Sequence, residues 1–156
     1  MATISWTFPL SGTWYNPLFW SGGLIPTIFD DVVIPNFGSP VAFTVSVGLP
    51  AGAHSVSVNS AGATLSIASS FTVGTTLSMQ AGTLALTSTG VLHDAVVTIG
   101  ANAKARLMGG TLDNVGWRGA LTLSNAHDGF TMRNGMALRN VTGTGPGVLN
   151  ITNSDG

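Results

Sequence analysis

The sequence contains no cysteine and no glutamate, and it has few charged residues of either sign. Without cysteine the chain can form no disulfide, no thiolate metal site and no cysteine redox centre. Charged residues make up 7% of the 156 residues, against about 25% in an ordinary globular domain. The net charge of −1 provides no basic surface for nucleic acid or anionic lipid, so partners of these two kinds are not expected.

Long apolar runs and strong helix formers are also scarce. No segment reaches about 18 consecutive apolar residues, the length that a membrane-spanning helix requires. One lysine and one glutamine stand beside 21 glycines and 7 prolines, and this balance favours strands and turns. The first ten residues lack a basic region followed by an apolar stretch, so no Sec-type signal is visible at the N-terminus.

From about residue 42 onwards, the sequence repeats a short strand pattern. Aliphatic residues alternate with Ser, Thr, Ala or Asn in nine segments, at residues 42–47, 54–59, 63–68, 75–80, 82–87, 95–100, 110–115, 119–124 and 147–152. This alternation is typical of half-buried strands, whose side chains point to opposite faces in turn. Helical spacing of apolar residues is not sustained anywhere in the chain.

Glycine spacing suggests a repeat of about 20 residues, since Gly62 and Gly82 are 20 residues apart and so are Gly90 and Gly110. We therefore predict one all-β domain, a right-handed parallel β-helix (β-solenoid) of about five or six coils. Residues 1–35 form an N-terminal capping segment and the first strand, and residues 36–156 form coils that continue or stack beyond the C-terminus. An antiparallel β-sandwich is the alternative, but it explains the low charge less well.

Residues 11–35 concentrate aromatic side chains among prolines and glycines, and this segment allows two interpretations. Trp14, Phe19 and Trp20 could fold over the apolar end of the solenoid, which would otherwise expose an unpaired coil. Alternatively, Trp14, Tyr15 and Trp20 could form a surface on which the rings of a glycan stack. The second interpretation requires two exposed and roughly coplanar rings.

The acidic residues do not form an obvious catalytic motif. Asp94 and Asp113 are 19 residues apart, about one coil, and could therefore stack on one face. His93–Asp94 and His127–Asp128 form two His-Asp pairs, which would have to converge with one of three arginines, Arg106, Arg118 or Arg133, to make the site of a lyase or glycosidase. We interpret them as hydrogen-bonded turn residues and predict no catalytic site.

No cofactor is predicted either. Asp30 and Asp31 are the candidates for a Ca²⁺ site, but the sequence contains neither an EF-hand loop nor a calcium-binding nonapeptide repeat. The basic side chains all lie beyond residue 100, at Lys104, Arg106, Arg118, Arg133 and Arg139. They form either a solvated edge that discourages lateral association or a docking strip for an acidic glycan or partner.

The order of residues near the N-terminus resembles a known group of proteins. Trp14 is followed by Trp20-Ser21-Gly22-Gly23, Pro26, Asp30-Asp31-Val32-Val33-Ile34 and then AGATLSIASS at residues 61–70. This order resembles the start of β-helical regions in large bacterial surface and secreted proteins, namely filamentous-haemagglutinin-like adhesins and autotransporter passengers. The resemblance implies a right-handed parallel β-helix, an extracellular or cell-surface location, and a scaffold or adhesive role.

Together these features predict a non-catalytic structural or adhesive module of a bacterial extracellular protein. Its expected partners are other copies, or the rest of a longer chain, attached by end-to-end β-stacking, and glycans are a further candidate. The alternative function is a carbohydrate-binding module or a glycan-active β-helix.

Overall fold

The computed structural model describes residues 1–151, and nearly all of its regular structure is strand. Two short 3₁₀ turns, at Pro17–Phe19 and Ser21–Gly23, lie close to the N-terminus. The thirteen strands are, in chain order, β1 (Thr3–Ser5), β2 (Gly12–Thr13), β3 (Asp31–Ile34), β4 (Phe43–Val47), β5 (Ala51–Ala53), β6 (Ser55–Ile67), β7 (Ser70–Val73), β8 (Thr76–Leu86), β9 (Val91–His93), β10 (Val96–Arg118), β11 (Leu121–Leu123), β12 (Gly129–Arg139) and β13 (Leu149–Ile151).

The strands wind into a β-solenoid of about five turns with three faces. The first face stacks β1, β3 and the first parts of β6, β8 and β10. The second face stacks β2, β4, the later parts of β6 and β8, and the middle of β10. The third face stacks β5, β7, β9, residues 111–113 of β10, and the first part of β12. The long strands β6, β8 and β10 therefore run around corners from one face to the next.

Every pairing between named strands is parallel, so the antiparallel sandwich alternative is wrong and the parallel β-helix is confirmed. Leu92 pairs with Leu112, and Leu112 pairs with Met132, so one coil spans 20 residues on the third face. This spacing is the one predicted from the glycines. The first coil is longer, since Ile4 pairs with Val32.

The core consists of columns of inward-facing side chains, one from each coil. Two such columns are Ile4, Val32, Val56, Leu77 and Val97 on the first face, and Phe71, Leu92 and Leu112 on the third. All of these side chains are 3% exposed or less. Alternation of apolar and small polar residues produces this arrangement, because a parallel strand directs every second side chain inward.

Near the N-terminus the prediction needs one correction. Asp31–Ile34 is a strand, as predicted, but it is not the first, because β1 and β2 precede it and pair with β3 and β4. The aromatic segment thus supplies strands of the solenoid as well as loops. The predicted coil region extends to residue 156, and its last five residues, including Asp155, lie outside the described part of the chain.

Candidate functional site

The aromatic segment directs its indole rings into the core. Trp6, Trp14 and Trp20 are 1%, 0% and 2% exposed. Trp14 packs edge-to-face against Trp20, with ring centroids 4.9 Å apart at 68°, and against Phe71, with centroids 5.0 Å apart at 72°. The Trp20 indole N–H also donates to the Trp14 carbonyl at 2.7 Å. The interpretation of Trp14 and Trp20 as a glycan-stacking surface is therefore contradicted, because these rings are neither exposed nor coplanar.

Tyr15 is the only one of the three proposed stacking residues that keeps contact with solvent. Its ring is half-buried, its hydroxyl donates to the Pro50 carbonyl, and burial raises the pKa of that hydroxyl. The ring lines a shallow groove of about 470 Å³ together with Pro26, Ile28 and Pro50. A single aromatic ring with a hydroxyl already engaged offers a smaller stacking surface than the sequence suggested.

At the N-terminal end of the solenoid, the outer edge beside β1 is covered by the polypeptide itself. The Ser5 amide donates to the Ser21 hydroxyl and the Thr7 amide to the Phe19 carbonyl, both at 2.9 Å. Trp6 forms an antiparallel bridge with Trp20 on the same side of β1. On the first face, the edge groups of residues 5–7 therefore already have partners, and this is the arrangement that the capping interpretation requires there.

The C-terminal end is different, because several of its inward-facing positions are exposed. Met132 and Leu149 follow Leu112 and Leu121 in their columns, yet they are 60% and 43% exposed, whereas both predecessors are fully buried. Ile151 is 68% exposed. Within the described chain, β12 has a paired strand on one side only. The exception is at residues 138–140, where the chain folds back on β12 and the Gly147 amide donates to the Leu138 carbonyl at 3.2 Å.

Asp30 and Asp31, the calcium candidates, are engaged in hydrogen bonds. The Asp30 carboxylate accepts from the Thr27 hydroxyl and the Thr27 amide, and these bonds lower its pKa. The Asp31 carboxylate accepts from the Ser55 hydroxyl at 2.5 Å and meets the His54 ring at 2.8 Å; the bond from Ser55 is the main cause of its lowered pKa. No group of three or more metal-ligating side chains occurs among residues 1–151. The prediction of no cofactor, with Asp30 and Asp31 as the only calcium candidates, stays untested.

The structure brings Asp94 and Asp113 together on one corner, as their spacing predicted. The Asp94 amide donates to the Asp113 carbonyl at 3.0 Å, and the Asp113 carboxylate lies 3.1 Å from the His93 ring. Arg133 pairs with Asp113 in the neighbouring coil. Both carboxylates also accept amide hydrogen bonds, Asp94 from Asn114 and Asp113 from Asn134. These contacts match the interpretation as hydrogen-bonded turn residues.

The second His-Asp pair is not part of this corner. Asp128 accepts bonds from the Ser124 and Asn125 amides and lies 4.0 Å from the Arg106 guanidinium. Burial raises the pKa of Asp128, but the bonds from Asn125 and Ser124 outweigh it and leave the pKa low. The arginines are similarly dispersed: Arg118 pairs with Arg139 in the ladder, whereas Arg106 lies on another face.

A column of residues with left-handed backbone conformation at the corner of Asp94 and Asp113 was not predicted from the sequence. Asp94, Asn114 and Asn134 have φ angles of 59°, 55° and 53° and recur at 20-residue intervals. Asp and Asn adopt this conformation more readily than other residues with a side chain. Their 20-residue spacing was the signal, and it would have located the corner of three successive coils.

Comparisons with protein-family models, curated proteins and solved structures found no match. The described residues contain no helix that is long and apolar enough to cross a membrane. Inferences about function therefore depend on the geometry of the solenoid and its two ends.

Proposed function

We propose that this chain is a non-catalytic structural or adhesive module of a bacterial extracellular or cell-surface protein, and that its C-terminal end stacks on a further β-edge. The observation that carries the proposal is the difference between the two ends. The N-terminal edge at residues 5–7 has hydrogen-bond partners from residues 19–21, whereas the C-terminal coil exposes Met132, Leu149 and Ile151.

Stacking another coil on this end would extend two interactions that hold the existing coils together. The free edge of β12 would gain backbone hydrogen bonds at the spacing of parallel strands, about 4.8 Å. The exposed side chains would continue the buried columns, and each would gain about 1.5–3 kcal/mol if fully buried. The added edge belongs either to the continuation of a longer chain or to another subunit.

Light scattering coupled to size-exclusion chromatography tests this proposal. We expect the mean mass to rise with protein concentration, and we expect Met132→Lys to shift the species towards the monomer. Leu18→Lys is the matched control, because Leu18 is 79% exposed at the opposite end of the molecule. A monomer at all concentrations would overturn self-stacking for this chain, and equal effects of both variants would overturn the assignment to the C-terminal end.

The alternative, a carbohydrate-binding module, receives less support from the geometry. Two of its three stacking residues are buried, and the third contributes to a shallow groove. Tryptophan fluorescence with acrylamide quenching separates the two functions. The structural role predicts blue-shifted, poorly quenched emission that a panel of soluble polysaccharides leaves unchanged, whereas protection of quenchable emission by one polysaccharide would favour the alternative.

A further inference from the structure

The second face contains an interruption in the middle of the solenoid. Residues 102–107 of β10 pair with β8 on one side, for example Ala105 with Leu84. Among residues 1–151, no strand pairs with this segment on its other side, because β11 pairs with β13 in a separate two-stranded sheet. The segment therefore has a free edge of backbone donors and acceptors although coils lie above and below it.

A cleft of about 610 Å³ lies at this free edge. Its walls are mainly small residues: Gly100, Ala101, Ala103, Ala105, Gly119 and Ala120. Small side chains allow another backbone to approach closely, which is a requirement for adding a strand. The cleft is therefore suited to an extended polypeptide more than to a bulky compact ligand.

The floor of the cleft belongs to an inward-facing column in which alanine replaces the larger side chains of the preceding coils. Val45, Leu65 and Leu84 occupy this column in three successive coils, and all are 1% exposed or less. Ala105 follows Leu84 in the same column and is only half-buried. An apolar side chain from an added strand would pack on Ala105 as the next member of this column.

The outward-facing positions of the same segment are basic. Lys104 and Arg106 alternate with Ala103 and Ala105, and both basic side chains are exposed. The residues that line the cleft include Lys104 but no aspartate or glutamate. The Asp128 carboxylate lies 4.0 Å from Arg106, a distance at the limit of an ion pair. This edge therefore carries positive charge towards any incoming strand.

We propose that the free edge of residues 102–107 binds an extended peptide of alternating apolar and acidic residues by β-strand addition. The peptide runs parallel to β10, as every strand of the solenoid does. Its apolar side chains point towards Ala103 and Ala105, and its carboxylates lie beside Lys104 and Arg106. Main-chain hydrogen bonds contribute the affinity, and the alternating pockets and charges contribute the specificity.

A second copy of this edge is a poor occupant. Two copies would bring two pairs of cations together, and like charges on adjacent strands destabilise the pairing. Edge lysines also protect many natural sheets from uncontrolled strand addition. In this cleft, the same charges select an acidic strand.

Fluorescence anisotropy with a labelled peptide tests the proposal. The probe is acetyl-Thr-Val-Glu-Val-Glu-Val-Thr-amide, in which the valines match positions 103, 105 and 107 and the glutamates match positions 104 and 106. The control peptide has lysine in place of both glutamates. We expect saturable binding of the acidic peptide, weakened by added salt because the charges are exposed, and at least about tenfold weaker binding of the lysine peptide.

Two protein variants probe the two halves of the recognition. Lys104→Glu combined with Arg106→Glu should reverse the preference, so that the lysine peptide binds and the glutamate peptide does not. Ala105→Leu places in the column the side chain that Leu65 and Leu84 already supply there. It should fold normally, as judged by circular dichroism, and bind the acidic peptide about two- to fivefold more tightly, because the new side chain packs against the matched valine as Leu84 packs on Leu65.

Equal binding of both peptides to the unmodified protein would overturn the proposal, and so would binding that Ala105→Leu weakens or leaves unchanged. This inference does not rest on the proposed structural function. Met132→Lys, which tests end stacking, should leave peptide affinity unchanged, so the two proposals can fail independently.

Discussion

At the scale of single residues, Trp14 shows how a rare side chain is used. It is fully buried and contacts both Trp20 and Phe71. Ala51, which pairs with Phe71 in the ladder, is too small to cover that ring, and the indole covers it instead. The sequence predicted that aromatic residues would lie at this end, but the direction of each ring depends on such long-range neighbours.

Replacement of Trp14 should therefore be costly. We expect Trp14→Ala to lower the free energy of unfolding by about 3–5 kcal/mol, because the neighbouring rings cannot fill the space that remains. Trp14→Phe should cost less, since it keeps a ring and removes an indole N–H that has no partner in the described chain. Phe8→Ala, at a side chain 51% exposed, should change stability by less than about 0.5 kcal/mol.

Urea denaturation followed by circular dichroism measures all three variants. Similar losses for Trp14→Ala and Phe8→Ala would show that the indole is not part of the core.

The ionisation of Asp31 makes the stability of the folded protein depend on pH at acidic values. Its lowered pKa means that the folded state favours the carboxylate, mainly through the Ser55 hydroxyl and also through His54. This contribution is complete above the unfolded pKa of about 3.9 and is lost as pH falls through the lower folded value. The stability difference between the unmodified protein and Asp31→Asn should therefore shrink between about pH 5 and pH 2.

Ser55→Ala provides the matched test, because it removes the main cause of the shift. The pKa of Asp31, followed by NMR titration of its carboxyl carbon, should rise in that variant. An unchanged pKa would contradict the assignment of the shift to the Ser55 hydroxyl.

At the scale of strands, the alternating pattern predicted two of the three faces well. Residues 42–47 correspond to β4, and the paired segments 54–59 and 63–68 are the two halves of β6. The short strands of the third face, such as β5 and β7, were missed. These two strands carry few inward apolar side chains, Ala53 in β5 and Phe71 and Val73 in β7, and the neighbouring coils hold them in the ladder.

The free edge of residues 102–107 could not be predicted from the sequence either. The segment Ala103–Leu107 continues the apolar alternation of the coils before it, and its sequence contains no sign that the next strand will pair elsewhere. The substitution of alanine for leucine in the column was visible only after the register was known. A free edge is a property of two segments, and the pattern of either segment alone does not reveal it.

Corner glycines allow the coils to stack closely, and Gly110 is an example. A Cβ there would lie 2.4 Å from Leu86 Cγ and 2.5 Å from the Thr87 carbonyl oxygen, both in the preceding coil. Gly110→Ala should therefore destabilise the protein by about 1–3 kcal/mol, the usual cost of overpacking. Gly48→Ala is the control, because a Cβ at Gly48 meets nothing within 4 Å and its φ does not require glycine.

We expect Gly48→Ala to be neutral or to stabilise by about 0.4–1 kcal/mol through the unfolded state. Thermal unfolding of both variants is sufficient to compare them. A destabilisation of equal size at both positions would show that coil spacing is not the limiting factor at Gly110.

At the scale of the whole molecule, each coil contacts only its neighbours, so stability should vary along the axis. The central strands β6 and β8 have partners on both sides, whereas β12 and β13 are paired on one side only apart from the return at residues 138–140. Native-state hydrogen exchange should therefore be slowest in β6 and β8 and fastest in β12 and β13. Uniform protection along the chain would indicate a single cooperative unit.

The 20-residue spacing of Asp94, Asn114 and Asn134 has a consequence for the length of the molecule. Removal of residues 94–113 would join His93 to Asn114, a residue that already occupies the same corner with the same backbone conformation. Removal of a single residue within β10 would instead turn the later side chains of that strand to the opposite face. Within these regular coils, the solenoid can therefore gain or lose length without internal repair in steps of one complete turn.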